Sequence, residues 1–503
     1  MMPYILGVTL LLLTVIVLRV LRTRATRAAP YPPGPPAYPV IGSGGAFPAH
    51  EPQLGLAESA KKYGDVMYFE MFGKPLVVLS SLEAASDLLE KRSAIYSSRP
   101  RFTVHEMIGW TDMVSFLPYG EQFNKQRKFF LHTFSKQGCL VFRSSQVAQT
   151  HLLLKNILQC PTRYIEYLRL FSTAIIMEIA YGHKVTSEDD PYVKIAEDTN
   201  NVLMAAGHSL ALVDFLPWLI YLPAWFPGNW FARVARESRP AIQQMRNFPF
   251  DEVVQRMAYG TASPSFVSMH IEELERDGRA SEENLHILKV AASQMYGAGA
   301  ETTWSTIMNV IALLLLHPRA QRKAQDELDS VLRGERMPDF EDRKSLPYLD
   351  ALLLEVMRLK PTAPLGVPHS STADDIYRGM FIPKDSIVLT NTTALAMDDR
   401  VYRNPTEFRP ERFLPPHAEP NPNGIVFGWG RRICPGRYLA DTSVWIVMAS
   451  FLTVFEIVPE KNRNGQDIIP EIQWCSGITS SPAPFPCVIR PRSEKEVKLV
   501  SRL

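Results

Sequence analysis

Residues 1–18 carry no charge and group their apolar side chains as Tyr4–Leu6, Leu10–Leu13 and Val15–Leu18. As a helix this run spans about 27 Å, close to the hydrocarbon thickness of a thin membrane such as the endoplasmic reticulum. Arg19, Arg22, Arg24 and Arg27 follow it, and positive charge on that side holds the downstream chain in the cytosol. A cleaved signal peptide has its charges before the apolar run; here they come after. The pattern predicts a transmembrane anchor over 1–20 and a basic, Pro-rich linker over 21–39. The stretch Tyr31-Pro32-Pro33-Gly34-Pro35-Pro36 is stiff enough to lift a domain off the membrane.

Beyond the linker, apolar spacing predicts a strand over 77–80 and helices over 82–91, 121–134, 147–158, 164–181 and 192–206. The longest apolar helical stretch, 281–316, contains no proline and stops at His317-Pro318. Helices over 319–332, 346–359 and 437–455 follow, with short strands between 375 and 389. The segment 215–231 breaks the pattern, since it mixes Trp218, Tyr221, Trp225 and Trp230 with prolines. It suits either a core-covering loop or a surface dipping into a membrane interface. The fold class expected is mainly α with a minor β part, one domain over 40–503 behind a single N-terminal transmembrane helix.

Composition narrows the class. The 503 residues are 46% hydrophobic, ample for a large core. A formal net charge of +2 gives no signal for a nucleic-acid partner. The five cysteines, Cys139, Cys160, Cys434, Cys475 and Cys487, include no C-x-x-C pair. This argues against a disulfide framework or a structural zinc site and favours reduced, cytosol-facing thiols. The sequon Asn391-Thr392-Thr393 then stays unglycosylated.

The most informative segment is Phe427-Gly428-Trp429-Gly430-Arg431-Arg432-Ile433-Cys434-Pro435-Gly436-Arg437. A thiolate ligand needs a sulfur shielded from water with backbone N–H groups aimed at it. Gly430 and Gly436 let the backbone curl round the sulfur. A helix starting just after Cys434 brings its positive end near. The other reading is a buried structural cysteine in a Gly-rich turn.

The segment resembles the Phe-x-x-Gly-x-Arg-x-Cys-x-Gly signature of the cytochrome P450 family, at Phe427, Gly430, Arg432, Cys434 and Gly436. Further likenesses follow in the family's order. Ala298-Gly299-Ala300-Glu301-Thr302-Thr303 resembles its oxygen-activation motif, which implies that Thr302 positions oxygen and Glu301 delivers protons. By itself it could equally be a Gly-rich helix crossing. Glu355-Val356-Met357-Arg358 puts both charges on one helical face, a spacing that alone marks mostly surface pairs. With Phe408-Arg409-Pro410-Glu411-Arg412-Phe413 it resembles the family's charge network of Glu355, Arg358 and Arg412. Arg432, His369 and Arg127 are implied as haem-propionate partners, and Phe427 as a cover for the sulfur. Where the family commonly has Trp, this chain has Phe123, which has no N–H donor.

The resemblance covers nearly the whole chain and is strongest to fungal biosynthetic members. It implies haem b with Cys434 as axial ligand, and electrons from NADPH through the flavins of a separate membrane-bound reductase. The activity implied is oxidation of a lipophilic small molecule such as a terpenoid or polyketide at the endoplasmic reticulum membrane. Lys125, Lys128, Lys136 and Arg431 are either reductase contacts or an ordinary solvated face. Phe102, Met107, Ile108, Trp110, Met113, residues 210–218, Val367 and Ile478 are the expected substrate contacts. Three alternatives stay open: a member that rearranges, dehydrates or uses peroxide, a non-catalytic haem protein, and a membrane-anchored non-haem scaffold with an incidental cysteine loop.

Overall fold

The computed structural model describes residues 29–503 apart from 186, 207–211, 224, 227–229 and 476. The expected anchor and most of the basic stretch lie outside the described residues. The longer helices are α1 (Pro52–Tyr63), α2 (Glu121–Thr133), α3 (Arg143–Gln159), α4 (Tyr164–Tyr181), α5 (Pro191–Ala206) and α6 (Trp230–Ala258). They continue with α7 (Phe266–Arg276), α8 (Glu282–Leu316), α9 (Pro318–Leu332), α10 (Pro347–Leu359) and α11 (Arg437–Val454).

α8 is the axis of the fold. Ser281 caps its start by accepting from the Asn284 N–H at 3.2 Å. Pro318 cannot continue it, so α9 begins there with the proline in its first turn. Among the described residues α8 is the one helix with the length and hydropathy of a membrane span. Its apolar residues from Ile287 to Leu315 are instead buried in the main core, against α4, α6 and α11.

The β part is small. Strands β1 (Val66–Met71), β2 (Lys74–Leu79), β3 (His369–Ser370) and, after the hairpin of β4 (Asp375–Tyr377) and β5 (Met380–Ile382), β6 (Ile387–Thr390) make up most of it. One four-stranded sheet has the order β1-β2-β6-β3. β2 and β6 run parallel with Leu79 opposite Thr390, and β3 pairs antiparallel with His369 opposite Val388. This register puts His369 on the edge strand of the sheet, where it reaches the cavity lining. β7 (Phe455–Val458) pairs with β8 (Val488–Pro491) near the C-terminus.

Most expected helices appear within a few residues of their bounds. The expected helix over 82–91 widens from Leu82–Ala85 into a π-helical stretch over Ser86–Lys91. The one expected over 437–455 ends at Val454, and Phe455 already belongs to β7. The segment 215–231 divides: Phe215 and Leu219 are buried, whereas Trp218, Tyr221, Trp225 and Phe226 are exposed.

Candidate active site

A cavity of about 410 Å³ lies between α8 and the cysteine loop. Cys434, Arg432, Arg127, His369, Phe427, Gly436, Glu301 and Thr302 all line it, whereas Gly430 does not.

The cysteine loop is tied by its own backbone. The Cys434 N–H donates to the Phe427 carbonyl at 2.7 Å, closing the turn. Gly436 is the N-cap of α11, and a Cβ on it would stand 4.0 Å from Cys434 Sγ, so the sulfur sits at the helix start. Burial pushes the Cys434 thiol up; the Gly436 N–H and the Arg127 charge act against this, as do the charge and N–H of Arg437. Gly430 has a different reason from the one expected. Its φ is +49°, and a Cβ there would meet the Leu89 carbonyl oxygen at 2.6 Å. It lets the loop pack on the Ser86–Lys91 turn rather than curl round the sulfur.

Three guanidiniums and an imidazole surround the cavity's rim. Arg127 Nη2 donates to the Ile433 carbonyl at 2.6 Å. Arg432 is buried and stacks 3.8 Å from the Phe123 ring centroid, so the Phe that stands for Trp supports this arginine by its face. Arg99, which no motif pointed to, is also buried on the lining. His369 is buried with Nδ1 2.8 Å from the Tyr96 carbonyl. Among the described residues no carboxylate bonds Arg99, Arg127 or Arg432. Burial and mutual repulsion push Arg99 well below the guanidinium range, burial and Arg127 push Arg432 down to about 9, and burial pushes His369 well down. Buried cations without counter-charges are costly, so this rim fits a ligand carrying carboxylates. A flat haem with two propionates and an iron facing Cys434 matches that donor set.

On the opposite wall the Thr302 hydroxyl donates to the Ala298 carbonyl at 2.8 Å. Ala298 is the small residue most open to the cavity. The glycines beside it serve packing: a Cβ on Gly299 would approach Ile176 Cδ1 of α4 to 2.8 Å. Glu301 is buried and has no hydrogen-bond partner among the described residues. Burial pushes its carboxyl up, and the Arg169 charge opposes this. It also borders a second cavity of about 30 Å³, where Arg169 stacks 4.0 Å from the Trp304 ring centroid.

Glu355, Arg358 and Arg412 lie together and fully buried behind this site. Arg358 Nε donates to Glu355 Oε2 at 2.7 Å and Arg412 Nε to Glu355 Oε1 at 3.0 Å. Glu419 accepts from Arg412 at 2.7 Å, and the remaining guanidinium N–H groups reach backbone carbonyls such as Ala396.

Of the expected substrate contacts, Trp110, Met113, Val367 and Ile478 line the cavity. Phe102, Met107 and Ile108 do not: Phe102 and Ile108 belong to the main core, and Met107 packs against Val104 and Phe231. Residues 212–218 also stay off the lining, with Phe215 packed in the cluster beneath the sheet; 210 and 211 lie outside the described residues. Met245, Gln294 and Met295 contribute instead, from helices whose pocket face has no sequence mark. Of the basic residues, Lys128, Lys136 and Arg431 are exposed, while Lys125 pairs with Glu121 and Glu283 at 3.0 Å each.

The Cytochrome P450 family model matches residues 32–485. Cytochrome P450 monooxygenase 176 of Postia placenta is 36% identical over 469 residues, covering 92% of this chain and 90% of that protein. Cytochrome P450 monooxygenase claR of Ampulloclitocybe clavipes is 36% identical over 469 residues, with 92% and 86% covered. Cytochrome P450 monooxygenase ple1 of Rhodocybe pseudopiperita is 37% identical over 473 residues, with 92% and 90% covered. The chain belongs to the cytochrome P450 family, and the family implies a haem iron held by a thiolate.

Proposed function

We propose that the protein is a membrane-bound monooxygenase of fungal type in which Cys434 ligates haem iron and Glu301 and Thr302 manage protons. It inserts one oxygen atom of O2 into a lipophilic small molecule of secondary metabolism. The other oxygen leaves as water, and NADPH supplies both electrons through a flavin reductase. The observation that carries this reading is one cavity that joins a cysteine at a helix start, three guanidiniums with no carboxylate partner among the described residues and an acid–alcohol pair on the opposite wall.

Bound haem supplies the oxygen activation and the oxidising power. The chain's own residues bind, orient and protonate. Arg99, Arg127, Arg432 and His369 face its propionates. The His369 ring meets a carboxylate as a donor at both nitrogens only when protonated, so the propionate raises its affinity for a proton. Thr302, open to the cavity, hands protons toward the reacting oxygen, and Glu301 resupplies them. Apolar walls from Trp110, Met113, Phe116, Val367 and Ile478 exclude water and select an apolar substrate. Exposed Lys128, Lys136 and Arg431 offer an acidic reductase a docking face beside the cysteine loop. The N-terminal run and the exposed aromatic segment hold the chain at the endoplasmic reticulum membrane with this domain in the cytosol.

The test is a carbon monoxide difference spectrum of reduced membranes carrying the full chain. The strongly red-shifted Soret band of thiolate-ligated haem is expected, and Cys434→Ala should abolish it. Retention of that band in Cys434→Ala would remove the ligand assignment. NADPH-dependent product formation with added reductase separates a monooxygenase from a haem carrier.

A further inference from the structure

Two cations of the haem rim also hold the backbone that faces the substrate. Arg99 Nε donates to the Ser115 carbonyl at 2.9 Å, and its Nη1 to the Val367 and Pro368 carbonyls at 2.7 and 2.8 Å. Arg432 donates from Nε to Ser97 at 2.7 Å, from Nη1 to Val114 at 3.0 Å and from Nη2 to Leu117 at 2.7 Å. Three of these acceptors, Val114, Ser115 and Leu117, lie in one irregular stretch whose side chains wall the cavity.

That stretch has few ties of its own. Short-range turns join Phe116 and Leu117 to the Met113 carbonyl at 2.8 and 3.0 Å. Gln126 reaches the Asp112 carbonyl at 2.6 Å, and Arg246 reaches Gly109 and Asp112 at 2.9 and 2.7 Å. No helix or strand ladder spans 110–117: Trp110, Met113, Val114 and Phe116 pack into the main core, and the guanidinium forks supply the long-range hydrogen bonds to the carbonyls of 114, 115 and 117.

A guanidinium has five N–H donors. Arg99 and Arg432 each spend some on these carbonyls and keep others free. Both side chains line the cavity, neither has a carboxylate partner among the described residues, and the two charges repel. An anion in the cavity supplies the missing counter-charge and completes the donors' partners.

We propose that Arg99 and Arg432 are positioning residues for the substrate-facing segment 110–117. The carboxylates of bound haem pair with them on the cavity side, while their remaining N–H groups fix the segment's carbonyls, so that cofactor loading sets the shape of the substrate pocket. The proposal rests on the haem reading of the cavity. It places pocket-shaping residues at positions that need not touch the substrate.

Hydrogen exchange followed by mass spectrometry on the full chain tests it. The same wild-type chain is reconstituted with haem and with haem dimethyl ester, whose propionates carry no charge. Amides of 110–117 should exchange about tenfold or more faster with the ester, as expected for weakened charge-assisted bonds, while α9 is unchanged. Equal protection of 110–117 in the two forms overturns the proposal, and the thiolate band in the haem form shows that the haem reading survives. Arg99→Lys, loaded with haem, keeps the charge but loses the fork. It should show the same loosening with a retained thiolate band; an unloosened segment there also overturns the proposal. Absence of a thiolate band in the wild-type chain overturns the haem reading itself.

Discussion

Glu301 is a buried carboxyl with no hydrogen-bond partner among the described residues, set between two cavities. Burial raises its pKa above the ordinary 4.5. A group raised in the fold contributes stability below its unfolded value and loses that contribution as pH rises through the folded value. Glu301→Gln has no such titration. Its melting temperature should therefore match the wild type below pH 4.5 and exceed it increasingly as pH rises through the raised folded pKa, levelling off above it. A pH series of thermal melts checks this, and a constant offset at all pH values would contradict it. Product formation should fall about 100-fold, the lower range for losing a placed proton donor, with NADPH still consumed. Thr302→Ala should likewise uncouple NADPH use from product and release more peroxide. The acid, the alcohol and the cysteine were legible because their chemistry fixes their spacing on one short segment each. Arg99 was not legible, since its neighbours Ser98 and Pro100 carry no pattern, and its role arises only when 97–99, 113–117 and 367–369 converge. Gly299 follows the helix-crossing reading, since it answers to Ile176, whereas Gly430 was read for the wrong partner and answers to Leu89; both partners are far away in sequence.

At the scale of elements, α10 was legible almost to its ends, because its apolar stripe stops at Pro361. Its Glu355 shows why a weak motif becomes strong in context. The carboxylate accepts from Arg358, Arg412 and the Arg409 N–H, at distances from 2.7 to 3.0 Å. It therefore fastens the 407–419 stretch, which leads into the cysteine loop, to the helix before β3. Glu355→Ala would leave two buried guanidiniums with only Glu419 between them. Breaking a buried pair from one side costs about 3–5 kcal/mol, so the variant should accumulate poorly, melt earlier and lose haem on purification. Glu355→Ala with wild-type stability and haem content would show the network to be dispensable. α6 went unread for an opposite reason. Pro240 and Pro249 lie inside it, and in sequence each reads as a break; tertiary packing of Ile242, Met245 and Val253 in the main core carries the helix through.

At the scale of the whole molecule, two groups of exposed apolar residues stand on neighbouring segments. Trp218, Tyr221 and Trp225 are 56%, 85% and 81% exposed, and Tyr38, Val40 and Ile41 are exposed as well. The two groups are linked through Phe72, whose N–H donates to the Ile41 carbonyl at 3.4 Å and whose ring lies 6.4 Å from Phe215. Tyr and Trp with one polar and one apolar end favour the headgroup level of a membrane. Tyr31 stacks on Tyr68 at 4.2 Å, which ties the start of the described chain to β1. The expected outcome is contact with lipid. In nanodiscs of brominated phospholipid, the full chain's tryptophan fluorescence should be strongly quenched, and the double variant W218F/W225F should lose most of that quenching while keeping its haem spectrum. Unchanged quenching, or strong quenching of Trp218 and Trp225 by a water-soluble agent in the membrane-bound state, would mean that this face looks into the cytosol. The aromatic surface would then be open to a protein partner, and the anchor alone would hold the enzyme at the bilayer.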